Sequence, residues 1–154
     1  MAAVAALAVS LVVGYRDDQT SACSPVDPGL SEMIASRSTN DPVNFTVAVA
    51  VENSFARGAS KNYERYFVVA MQFASADGVL REGIWGVGTN QPEATNSLVT
   101  LRRDPDGASA SITSIDSEAQ AFTDWSNGQV IIDPVGASVL EARECLHEAV
   151  AATI

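Results

Sequence analysis

Metal ligands and catalytic nucleophiles are scarce in this sequence of 154 residues, which has one histidine, His147, and two cysteines, Cys23 and Cys145. Zinc sites need several Cys or His ligands at short spacing, and the sequence has neither a CxxC pair nor an HExxH motif. The GxSxG motif of serine hydrolases is also missing. We therefore expect no metal, no cofactor and no catalytic residue. We expect His147 to be a solvated residue near the end of a helix.

Positive charge is scarce as well, since 9 Lys and Arg stand against 19 Asp and Glu and leave a net charge of −10. Binding nucleic acid needs concentrated Lys and Arg to neutralise phosphates, so the charge excludes nucleic acid as the natural partner. One local patch combines cations with aromatic side chains: Arg57, Lys61, Tyr63, Arg65 and Tyr66. This basic-aromatic patch predicts contact with an acidic envelope protein or polymer. The alternative is that its charges only protect an edge strand from aggregation.

Lysine is nearly absent, because Lys61 is the only one in the chain, whereas arginine and alanine are frequent. This bias is typical of proteins encoded by GC-rich genomes. It indicates a bacterial source and lowers the value of each alanine as a helix signal.

A long apolar run is also missing, but a short one stands at the N-terminus. Residues 2–13 (AAVAALAVSLVV) carry no charge, and Gly14 and Tyr15 extend the run before Arg16. A membrane-spanning helix needs about 20 residues, so this run is better suited to the apolar region of a signal peptide or a signal anchor. No basic region precedes it, and burial in the mature fold is the third alternative. The first two alternatives predict an extracytoplasmic protein that is membrane-anchored through this segment or secreted.

The sequence divides into an apolar segment at 1–15, a polar linker at 16–28 and a single domain at 29–154. Export would permit a disulfide between Cys23 and Cys145, which requires Cα atoms within about 7 Å of each other. The alternative is that Cys145 is a small buried apolar residue and Cys23 is free or lipidated.

Hydrophobic periodicity predicts an α+β domain. Alternating residues predict strands at 44–52, 63–75, 79–87, 97–103 and 108–115, and helical spacing predicts a short helix at 29–37 and a longer one at 137–151. Segment 116–127 fits a helix or a strand. We expect a mostly antiparallel sheet of about five or six strands, with the C-terminal amphipathic helix packed on one face. Within that layer we expect Val139, Leu146 and Val150 to contact Val47, Val49, Val69 or Met71.

Two functions fit this domain. The first is a non-catalytic interaction or structural module of the bacterial cell envelope. The second is a small-ligand-binding or enzymatic domain with an apolar pocket on the concave sheet face, lined by Phe67, Met71, Trp85 and Trp125. A catalytic pocket gathers titratable groups, and the predicted sheet faces carry almost none, which favours the first function.

Overall fold

The computed structural model describes residues 23–39, 43–53, 63, 65–89 and 111–153. The strands are β1 (Ser24–Pro25), β2 (Asn44–Glu52), β3 (Arg65–Ala74), β4 (Leu80–Thr89) and β5 (Ser111–Ser114). The helices are α1 (Pro28–Ala35), α2 (Ser117–Phe122) and α3 (Ala137–Ala152). The apolar segment 1–15 and the strand predicted at 97–103 lie outside the described residues.

The five strands form one antiparallel sheet in the order β1-β2-β3-β4-β5, so each strand pairs with its neighbours along the chain. This arrangement confirms the predicted α+β class and antiparallel sheet. The β3–β4 connection turns at Gly78, whose φ of 80° is a conformation that glycine adopts without strain. Asp77 and Gly78 therefore lie in the turn of a β-hairpin.

Helices cover both faces of the sheet. On one face, α3 packs Val139, Ala142 and Leu146 into a buried cluster that includes Val49 and Val68. We call this the α3 face. On the opposite face, α1 and α2 supply further apolar side chains to a second buried cluster, which holds Leu30, Ile34, Phe67, Val69, Met71, Trp85 and Ala119. The described part of the domain therefore has three layers.

The predicted partners of α3 are only half right. Val47 and Val49 belong to the α3 face, but Val69 and Met71 belong to the opposite face. Val69 is paired with Ala50 in the sheet, and Ala50 points away from Val49 because successive strand residues alternate between faces. Because the strands carry apolar residues on both faces of the sheet, the sequence pattern does not show which of the two faces contacts the C-terminal helix.

A β-bulge in β2 changes the face of one further residue. The β2–β3 register shifts between Phe45 and Val47, which leaves Thr46 as the extra residue. Phe45 consequently packs with the cluster opposite α3, although simple alternation predicts it on the same side as Val47. The Thr46 hydroxyl donates to the side-chain oxygen of Gln72 at 2.9 Å.

The folded part of the chain includes residues 23–28, which the sequence pattern predicts to be part of the linker. Ser24 and Pro25 pair with Ala50 and Val49 of β2, and the Asp27 carboxylate accepts a hydrogen bond from the N–H of Gly29 at 3.0 Å. This contact makes Asp27 the N-cap of α1, and Pro28 stands in the first turn, where its missing N–H costs nothing. The segment is polar because it supplies a cap and an edge strand.

Candidate functional site

A polar cleft lies beside the β3–β4 hairpin and has a volume of about 440 Å³. Its lining residues are Gln72, Leu80, Arg81, Glu82, Glu118 and Arg143. Gln72 and Glu82 are opposite each other in the β3–β4 ladder, whereas Glu118 comes from α2 and Arg143 from α3. The cleft therefore depends on the packing of both helices against the sheet.

Asp116 anchors the inner side of the polar cleft. Its Oδ1 accepts hydrogen bonds from the backbone N–H of Ile84 at 3.1 Å and of Ala119 at 2.9 Å. Its Oδ2 accepts from Arg143 Nη2 at 2.9 Å, and only 10% of the Asp116 side chain is exposed. One carboxylate thus caps α2 and ties it to both β4 and α3. Ion pairs of this kind hold Arg143 in a fixed orientation at the cleft wall.

Changing Asp116 to Asn should lower the free energy of unfolding by about 1.5–3 kcal/mol, because the charge-assisted bond to Arg143 is lost while a capping oxygen remains. Urea denaturation would measure the change. Exposed Asp124, whose side chain pairs with Arg37 at 3.5 Å, supplies the matched control, and Asp124→Asn should cost well under 1 kcal/mol. Equal costs for the two variants would contradict the anchoring role of Asp116.

The only histidine of the chain lies next to the same cleft. His147 Nε2 is 2.9 Å from Glu82 Oε1, and the His147 side chain is 62% exposed. A carboxylate that orients an imidazole is one component of a general-base site. Within the described part of the chain, no hydroxyl or thiol is hydrogen-bonded to this ring. The solvated position predicted for His147 agrees with its exposure.

Arg81 joins the hairpin turn to α2 at the outer side of the cleft. Its Nε donates to the Ser75 hydroxyl at 3.2 Å, and its guanidinium lies 4.9 Å from the centre of the Phe122 ring. It also forms longer ion pairs with Asp77 at 3.5 Å and with Glu118 at 3.8 Å. Its charge is therefore shared between two carboxylates and a ring rather than presented freely to a ligand.

The pKa of Asp77 lies below its usual range, first because the Ser75 hydroxyl donates a hydrogen bond to its carboxylate. The N–H of Val79 donates a second hydrogen bond to it at 3.1 Å. Nuclear magnetic resonance titration should therefore give Asp77 a pKa lower than that of an unperturbed aspartate, and Ser75→Ala should raise it. Because the folded pKa is the lower one, this contribution to stability is present above the unfolded pKa and lost as the pH falls through the folded pKa. An unchanged pKa in Ser75→Ala would contradict this cause.

The structure gives two members of the basic-aromatic patch internal roles. Arg65 donates to both carboxylate oxygens of Glu52, from Nε at 2.6 Å and from Nη2 at 2.8 Å. This hydrogen-bonded pairing raises the pKa of Arg65. Tyr66 is buried among the residues of the α3 face, with its ring against that of Tyr63. Arg57 and Lys61 lie outside the described residues. Charge pairing and burial therefore leave little of Arg65 and Tyr66 at the surface. Contact of the basic-aromatic patch with an envelope partner stays a prediction.

Tyr66 carries a polar atom that the packing leaves unsatisfied. The residue is 4% exposed, and its hydroxyl has no hydrogen-bond partner among the described residues. Tyr66→Phe should therefore leave the free energy of unfolding unchanged or raise it by up to about 1 kcal/mol, since the penalty of burying that hydroxyl disappears. Thermal or urea unfolding would measure this. The control is Tyr63→Phe, because Tyr63 is half-buried. If Tyr66→Phe alone lowered the free energy of unfolding by more than about 1 kcal/mol, the Tyr66 hydroxyl would have a hydrogen-bond partner.

The predicted apolar pocket is wrong, because α1 and α2 cover that sheet face. Phe67, Met71 and Trp85 are each at most 1% exposed and belong to one buried cluster, with Trp125 packed against it. The Trp85 indole N–H donates to Thr123 Oγ1 at 2.9 Å, so even its polar atom is used internally. These aromatic residues build the core of the layer under α1 and α2.

A disulfide joins Cys23, immediately before β1, to Cys145 in the middle of α3. The two Cα atoms are 5.9 Å apart, within the distance expected from the sequence. Cys145 lies in the buried cluster of the α3 face, and Cys23 packs against that cluster. The bond is compatible with an oxidising compartment, where structural disulfides persist.

Comparisons with known proteins found no match to this chain. No family model, no curated protein and no solved structure matches the chain. Among the described residues, no group of three or more His, Cys, Asp or Glu side chains is placed to hold a metal ion. In the same residues, no helix is both long and apolar enough to cross a membrane.

Proposed function

We propose that this chain is an exported bacterial domain that acts as a non-catalytic interaction or structural module of the cell envelope. The observation that carries the proposal is the Cys23–Cys145 disulfide. Structural disulfides are characteristic of extracytoplasmic proteins, and the apolar segment at 1–15 provides a means of export or membrane attachment. The domain would then work outside the cytoplasm, either anchored at the membrane or secreted.

The polar cleft supports an interaction role over a catalytic one. Arg143 is held by Asp116, Glu82 contacts His147, and the charges of Arg81 are shared with Glu118 and Asp77. Charged side chains that are fixed by internal partners form a rigid, electrostatically patterned surface, which favours selective contact with a polar partner. Both signs of charge occur there, so a partner that presents both cationic and anionic groups fits it best. An envelope protein fulfils this condition.

The export part can be tested in cells. Residues 1–30 are fused to a reporter that is active only outside the cytoplasm, and free thiols in whole cells expressing the full chain are alkylated before lysis. We expect an active reporter and an unalkylated, disulfide-linked pair of peptides containing Cys23 and Cys145. The matched control fusion carries Ala6→Asp and Val12→Asp, which place two charges in the apolar run, and its reporter should be inactive. An inactive parent fusion together with fully alkylated cysteines would refute the proposal.

A further inference from the structure

The α3 face of the sheet becomes polar beside the β3–β4 hairpin. Ala70 of β3 pairs with Ile84 of β4, and both lie in the buried cluster of the α3 face. Gln72 and Glu82 form the next pair on the same face, because residues two positions apart in a strand point to the same side. Both side chains line the polar cleft. The sheet therefore places an amide directly beside a carboxylate in this cleft.

Each of these two side chains keeps one polar group for a ligand. Gln72 Oε1 accepts from the Thr46 hydroxyl at 2.9 Å, so the Gln72 Nε2 group remains as a donor. Glu82 Oε1 is 2.9 Å from His147 Nε2, and among the described residues no hydrogen bond involves Glu82 Oε2. Residues opposite each other in an antiparallel pair have Cβ atoms about 4.5–5.5 Å apart. A donor and an acceptor at this short separation fit a ligand whose anionic and cationic groups are attached to the same carbon atom.

Arg143 adds the positive charge that an anionic group needs. Its Nη2 donates to Asp116 Oδ2 at 2.9 Å, and among the described residues its other guanidinium nitrogens have no hydrogen-bond partner. A guanidinium held in one orientation can donate two N–H groups to a carboxylate. The other two charges of the cleft, Arg81 and Glu118, are paired with each other at 3.8 Å. Arg143 therefore brings both a charge and unused donors to the Gln72–Glu82 pair.

Leu80 gives the same cleft an apolar side. It lines the cleft and is 59% exposed. It stands two positions before Glu82 in β4, so both residues point to the α3 face. The exposed apolar surface of Leu80 can be covered by an apolar group of a ligand that is bound at Glu82, which would remove both surfaces from water.

We propose that the polar cleft binds a free α-amino acid with an apolar side chain. Arg143 and the Gln72 amide bind its carboxylate, Glu82 binds its ammonium group, and Leu80 contacts its side chain. The cleft volume of about 440 Å³ lies within the range of small-molecule sites. This inference goes beyond the proposed envelope function, because binding a small zwitterion requires neither export nor a protein partner.

The test is isothermal titration calorimetry of the oxidised full chain with L-leucine as the probe. N-acetyl-L-leucine lacks the ammonium group, L-leucinamide lacks the carboxylate, and glycine lacks the side chain. We expect L-leucine to bind, and the first two analogues to bind at least about tenfold more weakly, because each leaves a charged group of the cleft without its partner. Glycine should bind at least about threefold more weakly, since it cannot cover Leu80.

Glu82→Gln removes the charge assigned to the ammonium group and should weaken L-leucine binding at least about tenfold, with N-acetyl-L-leucine changed by less than about twofold. The matched control is Glu32→Gln, which removes the same charge from an exposed residue of α1 on the opposite face of the sheet and should change L-leucine binding by less than about twofold. Leu80→Ala should weaken the binding of L-leucine but not of glycine. Urea denaturation of each variant verifies that it is folded.

Nuclear magnetic resonance locates the ligand, because the side-chain amide of Gln72 gives its own signals. We expect these signals to shift when L-leucine is added. The proposal is overturned if L-leucine at about 10 mM produces neither heat nor shifts, if N-acetyl-L-leucine or L-leucinamide binds as tightly as L-leucine, or if Glu32→Gln weakens binding as much as Glu82→Gln. An inactive export reporter would leave this result unaffected, so the two proposals fail separately.

Discussion

Replacing Cys23 and Cys145 by serine is expected to lower the free energy of unfolding by about 4–5 kcal/mol. The two cysteines are 122 residues apart in sequence. In the chain-entropy model, a cross-link that closes so long a loop removes much of the conformational freedom of the unfolded chain. Urea denaturation of the oxidised protein and of the double serine variant would measure the difference.

The wild-type protein kept in reductant provides the control for this measurement, because it loses the bond without losing either side chain. Its free energy of unfolding should agree with that of the double serine variant to within about 1 kcal/mol, which is the scale of placing one serine hydroxyl at the buried Cys145 position. A loss below about 1 kcal/mol in both would mean that the unfolded chain stays compact or that the native bond is offset by a local cost.

The order of elements could be predicted because strand alternation and helix periodicity are local properties. β2, β3, β4 and α3 all lie within a few residues of their predicted bounds. The assignment of faces failed where a non-local event intervened. The bulge at Thr46 follows from the register of β2 against β3, and no pattern within β2 alone reveals it.

The sequence also did not predict that helices cover both faces of the sheet. α2 contains six residues and follows its N-cap Asp116, in a segment whose pattern fits either a helix or a strand. The structure resolves the ambiguity through the contacts of Asp116 with Ile84 and Arg143, which are 32 and 27 residues away in the chain. Once α2 is in place, the face carrying Trp85 is closed, and the predicted pocket becomes core.

The polar cleft could not be predicted for the same reason, because it depends on contacts between residues far apart in the chain. Its ionic contacts join residues far apart in sequence, such as His147 and Glu82, which are 65 positions apart. Individual charged residues on a helix and on a strand give no signal that they will meet. The disulfide was the exception, because a chain with only two cysteines allows a single intramolecular pairing.

Leu146→Ala is expected to lower the free energy of unfolding by about 2–5 kcal/mol, because it removes a fully buried side chain and leaves a cavity under α3. Leu146 is 0% exposed, whereas Leu140 on the same helix is 59% exposed. Leu140→Ala makes the identical chemical change in the same helix and should cost less than about 1 kcal/mol, as should His147→Ala. Urea denaturation of the three variants ranks them directly. If His147→Ala were the most costly, the contact with Glu82 would be a main support of α3, and the packing of its apolar side chains would be secondary.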